Sequence, residues 1–197
     1  MKLFKAMGLI FVSVFLILPN VSFASDDGDC PVYRDASVPT PEFFGLEEGS
    51  DKFRCVKKRN NVKVVFNLRR LCRDAANTCG DDGNHSKMYG LHAIRGMIAD
   101  YEITNGMKRG KDYHIVAVVY ASAWKMVAND ILSAAHQAEV TDLIDKGVDF
   151  YMCSHTAKRQ NLSADRLIAG VKYVSQCVTG LVDFQNLGYK VVTSNND

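Results

Sequence analysis

The sequence predicts an α/β fold, a three-layer sandwich built on a mostly parallel five-stranded sheet. After residue 61, short apolar runs of strand-forming residues alternate with amphipathic helical segments. Strands that alternate with helices pair in parallel, because each right-handed crossover lays a helix on a face of the sheet. The apolar runs are nearly continuous, which is typical of strands that are covered on both faces. The chain shows no internal repeat that would suggest another architecture.

Five strands can be placed in chain order. The first is VKVVFNL at 62–68, the second is YHIVAVVY at 113–120, and the third is VDFYM at 148–152. Two shorter runs, VKYV at 171–174 and YKVV at 189–192, are expected to complete the sheet. Their valine-rich and aromatic composition favours strands over helices of the same length.

Helical patterns lie between these strands. Apolar residues recur at three- and four-residue spacing from Met88 to Tyr101, which predicts an amphipathic helix. The segment from Trp124 to Gln137 has a helical composition, and the helical pattern beyond it ends at Gly147, a residue suited to a helix C-terminus. A last helix is expected in CVTGLVDFQNLG at 177–188, with one face formed by Val178, Leu181, Val182 and Gln185.

The first 24 residues predict export. Lys2 and Lys5 precede an apolar stretch from Met7 to Leu18, and a small-residue cleavage motif ends at Ala24. The apolar stretch is shorter than the roughly 20 residues that a membrane span requires. We therefore expect a signal peptide at 1–24 that is cleaved rather than retained as an anchor. The mature protein is then periplasmic and does not span the membrane.

Residues 25–61 are expected to form an irregular extension ahead of the α/β domain at 62–197. The extension is polar and contains several prolines and glycines without sustained periodicity. Loss of the leader removes two of the 24 basic residues, and the remainder balances the 22 acidic residues. This balance argues against a nucleic-acid partner. No set of ligands has the spacing of a metal site, and we predict no cofactor and no bound metal.

All six cysteines follow the leader and would therefore meet an oxidising compartment. An even number of cysteines there favours disulfides, although the sequence alone leaves their pairing open. We expect Cys72 to pair with Cys79, and Cys30 with Cys55, because each pair brackets a loop-like segment. The remaining two cysteines are Cys153 and Cys177.

Several cysteines are expected to gather at the carboxyl edge of the sheet. Cys72 follows the first strand, Cys153 follows the third, and Cys177 follows the fourth. In an open parallel sheet, the loops at this edge form the ligand crevice. The edge therefore predicts a site at which a reactive group is held rigidly and is still exposed.

The surroundings of Cys153 predict a reactive thiol. Free backbone N–H groups in the following turn favour the thiolate, and nearby His155, Lys158 and Arg159 add positive potential. The alternative is a structural disulfide between Cys153 and Cys177. The sequence alone does not decide between a reactive thiol and a structural disulfide.

The segment at 148–192 has a more specific pattern. It ends a strand on Cys153, continues with Thr156 and a leucine-bearing helix, and closes with a helix and strand containing Gly-Tyr. In this order and spacing it resembles the C-terminal half of the DsrE family of sulfur-handling proteins. The matching positions are Phe150, Cys153, Thr156, Leu162, Leu167, Gly170, Val171, Val174, Val178, Leu181, Gln185, Gly188 and Tyr189.

The resemblance implies a flavodoxin-like α/β subunit that assembles into a homo-oligomer, a trimer or a hexamer. It also implies that Cys153 carries sulfane sulfur as a persulfide. The partner is then a sulfur donor or acceptor, either a protein or a small sulfane compound. The chain departs from the family where it has His155 in place of a frequent Asn, Cys177 in place of a frequent Gly, and Tyr120-Ala121 in place of a common His-Gly pair.

Taken together, these features predict a periplasmic sulfur carrier or sulfurtransferase-like protein. Its candidate catalytic residues are Cys153, Cys177 and His155. Sulfur transfer requires a thiolate that attacks sulfane sulfur and a second thiol that can relieve the persulfide, for which Cys177 is the candidate. Two alternatives stay open. One is a non-catalytic, disulfide-stapled binding or assembly subunit with this fold, and the other is a dithiol oxidoreductase using Cys153 and Cys177.

Overall fold

A computed structural model of the chain describes residues 60–72 and 88–193. The predicted leader at 1–24, nearly all of the extension at 25–61, and Cys79 lie outside the described residues. The predicted domain boundaries at the N-terminal side therefore stay predictions. The structure describes the region in which all five predicted strands were placed.

Five strands form one sheet in the order β4-β3-β2-β1-β5. Every pairing between neighbouring strands is parallel, which confirms the predicted α/β sheet. The carboxyl ends of all strands consequently meet at one edge. The strands are β1 (Val62–Leu68), β2 (Tyr113–Val119), β3 (Asp149–Cys153), β4 (Lys172–Val174) and β5 (Lys190–Thr193).

The described residues contain four α-helices, and none of them is long and apolar enough to cross a membrane. The first continues into a π-helical turn at Asp100–Thr104. Two 3-10 helices, Ala121–Val127 and Ala164–Arg166, lie in the connections. The α-helices are α1 (Tyr89–Ala99), α2 (Ala134–Asp145), α3 (Ser154–Arg159) and α4 (Cys177–Asn186).

The helical segment expected from Trp124 to Gln137 is interrupted. A 3-10 helix ends at Val127, and α2 begins only at Ala134. Between them, Ala128 is extended and forms an antiparallel bridge with Leu167. The backbone pairs here with a distant segment, so tertiary hydrogen bonds override the local helical preference. The expectation of continuous helix was wrong for residues 128–133.

One face of the sheet, here called the core face, carries most of the buried apolar residues. Helices α1, α2 and α3 contribute Leu91, Leu143 and Ala157 to this cluster. From the sheet, Phe66 and Phe150 are completely buried in it. Burying large side chains of this kind contributes about 1.5–3 kcal/mol each, so the core face supplies most of the stabilisation.

The opposite face, here called the α4 face, is covered by α4 within the described part of the chain. Val65, Val116 and Val118 form a small buried cluster on it. Leu181 and Phe184 of α4 pack against these valines and are themselves only partly buried. With helices on both faces, the molecule has the three layers that the sequence predicted.

The face that α4 turns to the sheet differs from the predicted one. Leu181 packs inward as expected, but Val178 is 58% exposed, Val182 is 48% exposed, and Gln185 is exposed. Gly180 is buried, and a Cβ at this position would lie 2.5 Å from Val174 Cγ2. The close approach of α4 to β4 at Gly180 sets the rotation of the helix, which periodicity in the sequence could not decide.

Candidate active site at the carboxyl edge of the sheet

The structure brings Cys153 and Cys177 together at the carboxyl edge of the sheet. Cys153 is the last residue of β3, and it is paired with Val174, the last residue of β4. Only two residues then separate β4 from α4, which begins at Cys177. Both cysteines are free thiols. The predicted site edge therefore holds a dithiol pair.

Hydrogen bonds hold the turn that carries Cys177. The Ser154 hydroxyl donates to the carbonyl of Ser175, which ties this turn to the start of α3. Gln176 Oε1 accepts the backbone N–H of Thr179 at 2.8 Å and so caps α4. The two chain segments that carry the thiols are thus joined to each other.

The surroundings of Cys153 favour its thiolate. Burial raises the pKa of this thiol, because a charged sulfur loses hydration. Polar interactions with the backbone N–H of Thr156, the thiol of Cys177 and the hydroxyl of Thr156 act in the opposite direction and outweigh burial. The net pKa of Cys153 is therefore lowered from its ordinary value.

The pKa of Cys177 changes in the opposite direction. Burial raises it, and the neighbouring Cys153 raises it further through its sulfur and its negative charge. The backbone N–H groups of Val178 and Cys177 lower this pKa, but by less than burial and Cys153 raise it. Of the two thiols, Cys153 is therefore the one that loses its proton first as the pH rises, and Cys177 keeps its proton to higher pH.

The two thiols also differ in their access to solvent. Cys153 is 1% exposed, whereas Cys177 is partly exposed at the first turn of α4. The expectation that Cys153 lies at the carboxyl edge of the sheet is confirmed, but the expectation that this thiol is exposed was wrong. The turns that supply the polar interactions to Cys153 also enclose it. The sequence predicted the N–H groups of the following turn, but it could not predict how far that turn covers the sulfur.

The remaining predicted residues lie around the pair rather than within it. His155, Lys158 and Arg159 are exposed on α3. Thr156 is 5% exposed and interacts with the sulfur of Cys153 through both its N–H and its hydroxyl. Thr156 is a site residue to which the sequence assigned no role. The sequence could have pointed to Thr156 through its position, because it lies three residues after the cysteine, where the first turn of a helix presents a free N–H.

Cys72 contributes no thiol to this site. It follows β1, is 3% exposed and is disulfide-bonded. Its predicted partner, Cys79, lies outside the described residues, as do Cys30 and Cys55, so both predicted pairings stay predictions. Among the cysteines that the structure describes, Cys153 and Cys177 are the free ones.

A polar cluster occupies the opposite end of the α4 face. The Tyr189 hydroxyl lies 2.7 Å from His114 Nδ1, and His114 Nε2 lies 3.1 Å from Asp149 Oδ2. Lys172 Nζ lies 2.7 Å from the other oxygen of Asp149. Burial and the charge of Asp149 raise the pKa of Tyr189. These contacts link β2, β3 and β4 to the start of β5, and their role is to clamp that end of the sheet.

The described residues contain no group of three or more His, Cys, Asp or Glu side chains placed to hold a metal ion. The functional groups of the site are therefore the two thiols, the backbone N–H groups around them and the Thr156 hydroxyl. This set can stabilise a thiolate, form a bond to an electrophilic sulfur and protonate a neighbouring sulfur.

The model of the DsrE/DsrF-like family matches residues 87–194, which is more than half of the 197-residue chain. The chain belongs to this family. The match includes every element from α1 to β5, the two free cysteines and Thr156. The resemblance seen in the sequence is thus confirmed, and it places the chain in a family commonly related to sulfur relay.

One solved structure shows the same fold. The protein of unknown function MTH1491 from Methanobacterium thermoautotrophicum is 24% identical, with 67% of this chain and 98% of that chain covered and a TM-score of 0.51. The ychN protein from E. coli is 17% identical over 67% of this chain and 98% of its own, with a TM-score of 0.44. No curated protein matches the sequence. The similarity to MTH1491 supports the fold and carries no information on activity.

Proposed function

We propose that the protein carries sulfane sulfur as a persulfide on Cys153 and acts as an exported sulfur carrier or sulfurtransferase-like protein. One observation carries the proposal. Two free thiols share the carboxyl edge of the sheet, and the pKa of Cys153 is lowered while that of Cys177 is raised. Membership of a family commonly related to sulfur relay supports the same chemistry.

The loading step uses the thiolate of Cys153. Its sulfur attacks the terminal sulfur of a donor such as polysulfide, a new S–S bond forms, and an S–S bond of the donor breaks. The donor leaves one sulfur shorter with the electron pair of the broken bond. In the unloading step an acceptor thiolate attacks the outer sulfur, and Cys153 leaves as a thiolate. A lowered pKa supports both steps, because it favours the thiolate that attacks the donor and makes Cys153 a better leaving group afterwards.

The proposal places the mature protein in the periplasm as a homo-oligomer, a trimer or a hexamer. The N-terminal export pattern supports the location, and the family resemblance supports the assembly. In this compartment a sulfur carrier needs a free thiol, which the Cys153–Cys177 pair supplies.

A dithiol oxidoreductase is the second candidate, favoured by the same adjacency of two free thiols. In that reaction Cys153 attacks a substrate disulfide, and Cys177 resolves the mixed disulfide. The substrate leaves as two thiols, and a Cys153–Cys177 disulfide remains. The two candidates differ in product, because a carrier gains a sulfur atom and an oxidoreductase does not.

Tryptic mapping tests the proposal, because trypsin separates the two thiols. Cys153 falls in the peptide Gly147–Lys158, and Cys177 falls in Tyr173–Lys190. Reduced protein is incubated with polysulfide, alkylated under denaturing conditions, digested and weighed. We expect Cys177→Ser to gain one sulfur atom on Gly147–Lys158, and Cys153→Ser to gain none on either peptide. An unloaded Gly147–Lys158 peptide in Cys177→Ser, together with reduction of a disulfide substrate by the wild type, would favour the oxidoreductase.

A further inference from the structure

We propose that sulfur passes within the molecule from Cys153 to Cys177, so that Cys153 accepts sulfur from a small donor and Cys177 presents it to an acceptor protein. The inference rests on the proposed persulfide function and names the residue from which sulfur leaves. It assigns different roles to two cysteines that lie at the same edge of the sheet.

The first argument is access. Cys153 is 1% exposed, so an acceptor protein cannot bring its own thiol into line with an S–S bond at this residue. Cys177 is partly exposed, and the next residue, Val178, is 58% exposed. A small polysulfide needs far less room than a protein thiol. The structure therefore separates a sheltered loading position from an accessible delivery position.

The second argument is proximity. Cys153 and Val174 are paired across β3 and β4, and the Ser154–Ser175 hydrogen bond joins the segments that follow these strands. The two thiols interact closely enough to change each other's pKa. A transfer between them is intramolecular, so no encounter with a second molecule limits its rate.

The transfer balances without any external oxidant or reductant. The proton of Cys177 moves to the outer sulfur of the Cys153 persulfide, and the resulting Cys177 thiolate attacks that outer sulfur. A bond forms between Cys177 and the outer sulfur, and the bond between the outer sulfur and Cys153 breaks. Cys153 keeps the electron pair and leaves as a thiolate, while Cys177 becomes the persulfide. One S–S bond exists before the step and one after it.

The leaving group decides between two possible reactions. Attack on the outer sulfur releases the Cys153 thiolate, which its polar surroundings stabilise. Attack on the inner sulfur would instead release hydrosulfide and form a Cys153–Cys177 disulfide. The structure stabilises charge on Cys153, so it favours the first reaction.

Time-resolved mapping with polysulfide tests the order of events. In the wild type we expect the extra sulfur first on Gly147–Lys158 and later on Tyr173–Lys190. In Cys177→Ser it should stay on the first peptide, and in Cys153→Ser the second peptide should stay unloaded. Val178→Ala is the matched control, because it shortens an exposed side chain in the same turn and keeps both thiols.

A comparison of acceptors tests the role of access. Loaded protein is offered free cysteine as a small acceptor and a thiol-bearing dextran as a bulky one. We expect Cys177→Ser to keep its transfer to cysteine and to lose most of its transfer to the dextran, whereas Val178→Ala keeps both. Circular dichroism confirms the fold of each variant, and Cys177→Ala serves as a second variant if the serine does not fold.

The outcomes separate the relay from the proposed function. If Gly147–Lys158 loads in Cys177→Ser but Tyr173–Lys190 never loads in the wild type, the relay is overturned and the persulfide function stands. Hydrosulfide release with a disulfide between the two peptides also overturns the relay, because the inner sulfur was attacked. If Gly147–Lys158 loads in neither protein, the persulfide function itself has failed.

Discussion

The two faces of the sheet differ in what they bury, and β3 shows the difference residue by residue. Side chains alternate between the faces of a strand. Phe150 and Met152 belong to the core face and are completely buried. Asp149 and Tyr151, on the α4 face, are partly exposed, and Cys153 ends that row beside Cys177. One face is an apolar core, and the other holds ionisable groups at both of its ends.

The difference shows how the fold separates stability from chemistry. Three helices cover the core face, so the sheet gains most of its stabilisation there from buried apolar side chains. The α4 face has a thinner cover, with a polar clamp around Asp149 at one end and the thiol pair at the other. This face can support a thiolate, because polar groups of Thr156 and Cys177 lie near enough to stabilise its charge.

The largest expected effect is on stability at adjacent residues of β3. Phe150→Ala should lower the free energy of unfolding by about 3–5 kcal/mol, because it leaves a cavity in the core face. Tyr151→Ala should lower the free energy of unfolding clearly less, because Tyr151 is partly exposed and packs on the partly covered α4 face, where its ring meets that of Phe184. Urea unfolding of both variants measures the difference. Equal losses would show that the α4 face contributes as much stability as the core face.

An intermediate effect is expected where α4 approaches the sheet. Gly180→Ala should lower the free energy of unfolding by about 1–3 kcal/mol, because the added methyl group would overlap Val174. Gly96→Ala in α1 is the matched control. A Cβ there meets no atom within 4 Å, so alanine should stabilise that helix by up to about 1 kcal/mol.

The double variant Gly180→Ala with Val174→Ala sharpens this test. Removing the valine methyl groups relieves the overlap, so the double variant should recover part of the lost free energy, as measured by thermal unfolding. If Gly180→Ala stabilises the protein as Gly96→Ala does, the close approach of α4 to β4 is not a constraint, and the rotation of α4 needs another cause.

The smallest effect on stability is expected from Cys177→Ala, which acts on ionisation. The thiol of Cys177 lowers the pKa of Cys153, so its removal should raise that pKa towards the ordinary thiol value. The midpoint of thiolate absorbance against pH then moves to higher pH. Cys153→Ala is measured beside it to identify the signal. An unchanged midpoint would mean that groups other than the Cys177 thiol, chiefly the N–H and the hydroxyl of Thr156, lower the pKa of Cys153.

The pKa change of Cys153 in Cys177→Ala should also alter how the stability of the fold depends on pH. A lowered pKa in the folded state adds stability above the pKa of the unfolded thiol, and this increment is lost as the pH falls through the folded-state value. In Cys177→Ala the pKa of Cys153 in the folded state moves closer to its pKa in the unfolded state. The stability that Cys153 adds above the unfolded thiol pKa should therefore be smaller in Cys177→Ala, while the loss of stability that the raised pKa of Cys177 causes at high pH is removed with that thiol. Urea unfolding at a series of pH values measures the net of these two opposite changes.

Local patterns in the sequence were sufficient for most of the architecture. Continuous apolar runs predicted all five strands, and their alternation with helices predicted a parallel sheet, because both signals depend on near neighbours in the chain. The position of Cys153 after a strand predicted its place at the carboxyl edge. The bridge between Ala128 and Leu167 could not be predicted in this way, because it joins residues far apart in sequence.

The sequence by itself determined the fold class, the family and the sheet edge at which the free thiols lie. Only the tertiary structure decided which face of α4 is buried, how deeply Cys153 is enclosed, and that Thr156 and Cys177 act on its sulfur. The reason is physical: a strand or helix pattern reflects burial averaged along a segment, whereas exposure and pKa depend on atoms that other segments bring within a few ångströms. The close approach at Gly180, which only packing creates, sets how α4 lies on β4 beside the thiol pair.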